Sequence, residues 1–208
     1  MRIAIVFSVC SWLAVISSAS ADDAAKLAEQ LTVLKTLTAD FKQEKPAETK
    51  NKVIISGKVT LARPGKLRWE VTAPDPTLLL VTPEGITLYE PELQQAIIKR
   101  NELTMGNPAI LLSCSNQELV KFFTVQQLSA GKFKLVPKKS SEAVYQAVEL
   151  HFSGDELTTM IITNLLGKEE KLHFSKVKIN PKIDNAVFSF KAGAKVEVID
   201  ERALKVAK

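Results

Sequence analysis

Residues 53–71, VIISGKVTLARPGKLRWEV, contain the clearest strand–turn–strand pattern of the chain. Apolar and polar side chains alternate over 53–61 and again over 67–71, and a period of two is typical of strands with one buried face. The separator, Arg63-Pro64-Gly65, combines residue types that favour a tight turn. Because a connection this short joins antiparallel neighbours, the stretch predicts a β-hairpin.

The same alternation continues along the chain. Further strand candidates, separated by short turns, lie at 77–82, 86–90, 95–100, 132–137, 145–152, 157–163, 170–180, 186–190 and 195–199. Within 170–180 the apolar side chains change from even-numbered to odd-numbered positions, which predicts a bulge near Ser175-Lys176. About eleven strands predict a mainly β fold, an antiparallel sheet large enough to form an unclosed barrel.

Helical patterns lie at two places. In residues 22–38 the apolar side chains follow helical spacing, which predicts an amphipathic helix carrying Leu27, Leu31, Leu34 and Leu37. The interruption at 103–123 predicts a short helix from Asn107-Pro108 through Leu112 and a second one opened by the capping box Ser115–Glu118. These helices are available to cover the concave face of the sheet. Residues 22–208 then make a single domain.

The N-terminus has the features of a secretory signal peptide. Arg2 precedes fourteen mostly apolar residues, and Ala19-Ser20-Ala21 provides a small-residue cleavage site before Asp22. A membrane anchor is the weaker interpretation, because the apolar run is shorter than the roughly 20 residues needed to span a bilayer. Residues 1–21 are therefore predicted to be removed. An exported chain of 187 residues remains, and loss of Arg2 lowers its net charge from +5 to +4.

Composition excludes several classes of protein. The 208 residues include two cysteines and two histidines, too few for a disulfide-stapled scaffold or a multi-cysteine metal site. With 28 basic against 23 acidic side chains and no long run of one charge, a nucleic-acid-binding arm is not indicated. Cleavage leaves Cys114 as a single thiol, which is more typical of a small buried residue than of a nucleophile.

Catalytic motifs are missing from the sequence. It contains no nucleophile elbow, phosphate loop or zinc-protease motif, so we expect no catalytic residue, metal or cofactor. His151 and His173 occupy strand positions on the more polar face, and Ser153-Gly154-Asp155 is typical of a turn. The apolar runs 78–81, 110–112 and 160–162 suit either a packed core or a lipid cavity, and the pattern alone favours the core.

Short motifs spread over most of the chain resemble those of a known protein family. In order they are Ala39–Gln43, Gly57, Arg63–Trp69, Pro74, Glu84-Gly85, Leu88–Pro91, Asn107–Leu112, Phe133–Pro137, Leu165–Gly167 and Val187–Phe190. With these motifs behind a cleavable signal, the chain resembles the periplasmic outer-membrane lipoprotein carrier family (LolA). It departs from the family pattern at Leu67, at Asn164 and at Ala192-Gly193.

The resemblance implies an unclosed antiparallel barrel under an α-helical lid, with a hydrophobic cavity for lipoprotein acyl chains. The residues expected to line that cavity are Trp69, Leu67, Val71, Leu79, Leu31, Leu34, Ile110 and Leu112. Arg63 would hold the lid shut through backbone carbonyls of the helices near Leu31 and Leu112.

The implied function is that of a monomeric periplasmic chaperone. It would take acylated lipoproteins from an ATP-driven inner-membrane lipoprotein-releasing complex (LolCDE-type) and pass them to an outer-membrane receptor (LolB-type) or an equivalent. Three alternatives stay open. They are a carrier of another lipid with the same fold, a lipid esterase or acyltransferase using Cys114 or Ser153, and a structural envelope protein with a filled barrel.

Overall fold

The computed structural model describes residues 18–44, 54–101, 107–139 and 143–203. Within these residues, one sheet contains β1 Thr36–Glu44, β2 Ile54–Ala62, β3 Lys66–Ala73, β4 Thr77–Thr82, β5 Gly85–Glu90, β6 Gln95–Lys99, β7 Phe123–Ser129, β8 Lys132–Pro137, β9 Tyr145–Ser153, β10 Glu156–Asn164, β11 Glu169–Ile179 and β12 Glu197–Asp200. The helices are α1 Ser18–Val33 and α2 Asn116–Phe122, with 3₁₀ helices at Pro108–Ser113 and Asn185–Phe188.

The sheet is built from two antiparallel meanders. Its strand order is β12-β6-β5-β4-β3-β2-β1-β11-β10-β9-β8-β7, and the meanders meet where β1 pairs with β11. Among the strands of the described ranges, only β12 runs parallel to its neighbour, β6. The terminal strands β7 and β12 do not pair with each other, so the sheet is unclosed. This confirms the predicted fold class.

The main hydrophobic core lies between one face of the sheet and the helices. Leucines of α1, the buried residues of Pro108–Ser113 and Leu119 of α2 pack against alternate side chains of the strands. We call α1, the Pro108–Ser113 helix and α2 together the lid. They cover the inner face, as predicted.

The opposite face of β3 and β4 is covered by the C-terminal segment. The Asn185–Phe188 helix packs on both strands, and the Arg68 guanidinium donates to the Val187 carbonyl at 3.2 Å. Leu78 and Leu80 are buried although they alternate with the inward-facing Leu79 and Val81. The continuous apolar run 78–81 therefore reflects a strand covered on both sides.

The predicted helix over residues 22–38 is wrong at its C-terminal end. Helical spacing holds through Leu34, but Leu37, Ala39 and Phe41 are buried at a period of two within β1. The side chain of Asn180 accepts hydrogen bonds from the amides of residues 35 and 36 and donates to the Val33 carbonyl. The chain therefore leaves the helix and enters a strand that the sequence pattern did not reveal.

Two further differences involve short elements. The sequence pattern missed β7. The strand predicted at 186–190 is wrong, because the Asp184 carboxylate caps the first turn of the 3₁₀ helix Asn185–Phe188 there.

The bulge predicted near Ser175-Lys176 is confirmed. The β1–β11 register shifts there, and Lys176 adopts a φ of +52°.

The predicted signal peptide falls mainly on residues 1–17, which lie outside the described part of the chain. The predicted cleavage point after Ala21 falls within α1. None of the helices in the described ranges is both long enough and apolar enough to cross a membrane.

Candidate functional site

A cavity of about 540 Å³ lies between the inner face of the sheet and the start of the Pro108–Ser113 helix. It is lined by Gln43, Ile55, Trp69, Val71, Pro74, Asp75, Thr77, Leu79, Leu88, Asn107, Pro108, Ala109, Val144, Tyr145, Met160, Ile162, Asn164, Glu170 and Leu172. Its volume is in the range of small-molecule sites, and most of its lining is apolar. Many of these residues lie near the ends of β1, β2, β9, β10 and β11, all on the same side of the sheet where these strands begin or end. We call this end the mouth.

The structure brings three of the eight predicted wall residues into the cavity: Trp69, Val71 and Leu79. The other five, Leu31, Leu34, Leu67, Ile110 and Leu112, are buried in the core outside its lining. Contact of these five with an acyl chain requires movement of the lid. Their role as wall residues stays a prediction.

Trp69 is fixed by aromatic neighbours. Its ring stacks on Phe41 with a centroid distance of 4.0 Å and forms a T-shaped pair with Phe174 at a centroid distance of 6.4 Å. Phe41 in turn lies over Gly57 on the neighbouring strand, where a β-carbon would lie 2.5 Å from Phe41 Cζ. The position of Trp69 in the cavity wall therefore depends on a glycine of the neighbouring strand β2.

Several polar groups lie at the mouth of the cavity. The Gln43 side-chain amide donates to a Glu170 carboxylate oxygen at 2.6 Å, and Asp75 and Asn164 lie on the same lining. Tyr145 also faces the cavity, and burial raises the pKa of its phenol. The cavity thus combines an apolar wall at Trp69, Val71 and Leu79 with polar groups at its mouth, an arrangement that suits an amphipathic ligand. The sequence analysis noted Gln43 within a motif and Asn164 as a departure from the family pattern, but it did not place these polar residues at a cavity, because each occurs singly near the end of a strand.

Arg63 lies at the opposite end of the sheet from the mouth, beneath the lid. Its guanidinium donates to the Leu112 carbonyl at 3.3 Å and to the Asn116 Oδ1 atom at 3.0 Å. The predicted contact near Leu112 is therefore present. Burial lowers the pKa of Arg63 from its ordinary value, which is high enough to keep the guanidinium charged.

Asn116 provides the contact to α1 that Arg63 does not make directly. The Asn116 amide nitrogen donates to the Ala28 carbonyl at 3.1 Å and to the Thr32 hydroxyl at 3.0 Å. A chain of hydrogen bonds thus runs from Arg63 through Asn116 to α1. In the sequence, Asn116 is visible only as part of a helix start, and no signal pointed to this second role.

The residues considered as nucleophiles are not placed for catalysis. Cys114 is buried, and that burial raises the pKa of its thiol to about 12. Ser153 lies at the exposed end of β9, and His151 contacts Glu149 on the same strand. Among the described residues, no cluster of three or more metal-ligating side chains forms.

Comparison with known proteins identifies the family. The model of the outer membrane lipoprotein carrier protein LolA matches residues 32–191, most of the chain. The chain belongs to the LolA family. Membership confirms the resemblance drawn from the motifs and identifies the chain as a lipoprotein carrier and not an enzyme.

Relatives of the LolA family match over nearly their whole length. The outer-membrane lipoprotein carrier protein of Dechloromonas aromatica is 33% identical over 178 residues, covering 80% of this chain and 82% of that protein. A protein of the same name from Coxiella burnetii is 30% identical over 192 residues, covering 89% and 90%. The crystal structure of a LolA superfamily protein from Nitrosomonas europaea has a TM-score of 0.53 at 12% identity, covering 84% of this chain and 99% of that one. This distant likeness shows the fold alone.

Proposed function

We propose that the chain is a periplasmic chaperone which receives lipoproteins released from the inner membrane, shields their acyl chains and passes them to the outer membrane. Carriage of lipoproteins follows from membership in the LolA family. The periplasmic location rests on the predicted signal peptide, residues 1–21, and the resulting single domain would span 22–208.

The observation that carries the proposal is the apolar cavity under the lid. Trp69, Val71 and Leu79 form a continuous wall on β3 and β4, and Met160 and Leu172 face it from β10 and β11. The sheet forms one side of the cavity and the start of the Pro108–Ser113 helix covers part of the other, so an apolar guest there is partly shielded from water. The adjacent buried leucines of the lid supply more apolar surface once the lid moves.

The free energy of burying an acyl chain explains why such a carrier is needed. Burial of a methylene group is worth about 0.8 kcal/mol, so a sixteen-carbon chain represents on the order of 12 kcal/mol. An anchor with several chains therefore does not cross an aqueous compartment unprotected. Loading requires an energy source, which an ATP-driven inner-membrane releasing complex (LolCDE-type) would supply.

The hydrogen bonds of Arg63 support a lid that prefers the closed state. Hydrogen bonds made by a charged group contribute about 1.5–3 kcal/mol each, and Arg63 makes two that hold the lid. A lid biased toward closure lowers the apparent affinity for cargo. Moderate affinity then allows cargo to pass without further energy to an outer-membrane receptor (LolB-type) or an equivalent that binds the chains more tightly.

The decisive experiment is a release assay. Spheroplasts that synthesise a labelled lipoprotein are incubated with the protein recovered from a periplasmic extract, whose N-terminus is determined. We expect an N-terminus at Asp22 and a soluble one-to-one complex that forms only when the inner-membrane complex is active. The matched variant Trp69→Glu, which places a charge on the cavity wall, should release no lipoprotein.

Two outcomes would contradict the proposal. Absence of a soluble complex with a releasing complex from the same organism, while the protein still binds a tri-acylated lipopeptide, favours a carrier of another lipid. Failure to bind either the lipopeptide or an apolar dye indicates a filled barrel.

A further inference from the structure

The lining of the cavity is acidic and carries no compensating basic side chain. Among the described residues that form it, Asp75 and Glu170 are the acidic ones, and none is a lysine, an arginine or a histidine. Asp75 belongs to the turn between β3 and β4, and Glu170 lies near the start of β11. Carboxylates therefore reach the apolar cavity from two different parts of the sheet.

Glu170 lies on the inner face of its strand. It shares that face of β11 with the buried Leu172, and its partner on β10 is Ile162, a residue of the cavity lining. The adjacent residues Glu169 and Lys171 lie on the outer face, where the lysine ammonium is 3.8 Å from the glutamate carboxylate. The lysine next to Glu170 in the sequence is thus turned away from the cavity.

The described part of the chain supplies neither carboxylate with a cationic partner. A Glu170 oxygen accepts a hydrogen bond from the Gln43 side-chain amide at 2.6 Å, and Asp75 is exposed. An amide donor satisfies a carboxylate oxygen but adds no positive charge. Beside an apolar wall, charges interact more strongly than they do in bulk water, because the effective dielectric constant is lower. An anionic group brought to the mouth is therefore repelled.

We propose that Asp75 and Glu170 make the cavity select amphiphiles with an uncharged or cationic head group and exclude those with an anionic one. The apolar wall contacts acyl chains whatever their origin, so discrimination depends on the group that remains at the mouth. Repulsion of the wrong ligand is an ordinary source of specificity.

This inference rests on the proposed carrier function and names its ligand more closely. The acylated end of a tri-acylated lipopeptide carries ester and amide groups and no charge, whereas an anionic phospholipid carries a phosphate with no cation beside it. The two carboxylates thereby keep anionic membrane lipids out of a cavity that receives lipoprotein anchors.

Binding of two matched amphiphiles tests the proposal. Lauroylglycerol and lauroyl-lysophosphatidylglycerol share an acyl chain and differ in the charge of the head group. Each is used below its micelle concentration to displace an apolar dye from the periplasmic protein. We expect wild type to bind the uncharged amphiphile about tenfold or more tightly than the anionic one in 0.1 M NaCl. The ratio should fall in 0.5 M NaCl, because salt screens the repulsion.

Neutral variants locate the source of the preference. Asp75→Asn/Glu170→Gln keeps the size of both side chains and an acceptor for Gln43, and it should reduce the ratio of the two affinities about tenfold. Asp75→Lys changes one exposed residue and should reverse the preference. The matched control, Asp155→Asn/Glu156→Gln, changes the net charge by the same amount in the turn between β9 and β10, at the opposite end of the sheet. It should keep the preference of wild type.

Several results would overturn the proposal. They are equal affinity of wild type for the two amphiphiles, no amphiphile binding at all, an unchanged preference in the variants at Asp75 and Glu170, and an equal loss of preference in the control, which would reflect net charge alone. If wild type releases no lipoprotein from spheroplasts but still prefers the uncharged amphiphile, the carrier function fails and the selectivity of the cavity stands.

Discussion

Arg63 stabilises two parts of the lid with a single side chain. Its guanidinium bonds directly to the end of the Pro108–Ser113 helix and reaches α1 through Asn116. A guanidinium offers five donors in a planar fork, so it satisfies both acceptors at once. A lysine ammonium carries the charge but does not reproduce that geometry.

Replacement of Arg63 by leucine should retain cargo and slow its transfer. The variant loses the hydrogen bonds that favour closure, so cargo gains apparent affinity. We expect Arg63→Leu to bind lipopeptide at least as tightly as wild type and to transfer it at least tenfold more slowly. Equilibrium binding and transfer to acceptor-bearing membranes provide the two measurements.

Asn116→Ala provides the matched comparison for this prediction. It removes the link to α1 but leaves Arg63 bonded to Leu112, so its effect on transfer should have the same direction and a smaller size. Normal transfer by both variants would show that closure does not depend on this hydrogen-bond chain.

Gly57 should tolerate no β-carbon, because it lies under the Phe41 ring that supports Trp69. Added atoms would collide with the Glu70 carbonyl oxygen and with Phe41. We expect Gly57→Ala to lower the free energy of unfolding by about 1–3 kcal/mol, the usual cost of overpacking. Urea denaturation followed by Trp69 fluorescence measures this change. A β-carbon at Gly193 meets its nearest atom at 3.8 Å, so Gly193→Ala should be close to neutral.

At the scale of elements, the junction of α1 and β1 depends on a residue about 145 positions away. The Asn180 side chain bonds to the Val33 carbonyl and to the amides of residues 35 and 36. Asn180 also adopts a φ of +54°, a conformation that asparagine tolerates better than most residues. The end of the strand β11 thereby fixes where the helix ends.

Loss of this side chain should loosen the start of β1. We expect Asn180→Ala to lower the free energy of unfolding by about 1–2 kcal/mol through the lost hydrogen bonds and the strained φ. Asn180→Asp keeps the acceptor and the tolerance for positive φ, so it should cost less. Thermal unfolding monitored by circular dichroism compares the three proteins, and equal melting temperatures would contradict the prediction.

The same junction explains what the sequence could and could not predict. Periodicity identified the hairpin around Arg63 and most strands, because alternation is a local property. It missed β1 and β7, since the leucine spacing of α1 runs on into β1 and β7 follows α2 without an intervening turn. The motif around Trp69 located one wall of the cavity. Its polar entrance depends on Gln43 and Glu170, 127 positions apart, and such pairs leave no local pattern.

At the scale of the whole molecule, the proposed function couples cargo binding to movement of the lid. Five predicted wall residues are buried in the core, so acyl chains contact them only when the lid separates from the sheet. Cys114 follows the Pro108–Ser113 helix and is 3% exposed. Its thiol is therefore a natural reporter of the open state.

Thiol reactivity should follow the opening of the lid. Burial raises the pKa of Cys114 to about 12, so on the order of one thiol in ten thousand is ionised at pH 8 in the closed state. An exposed thiol with a pKa near 8.5 would be about one-quarter ionised. Saturation with tri-acylated lipopeptide should therefore raise the rate of modification by a small water-soluble thiol reagent at least tenfold, and Arg63→Leu should raise it without lipopeptide. Cys114→Ala supplies the background. A rate that cargo leaves unchanged would mean that acyl chains occupy the existing cavity while the lid stays closed.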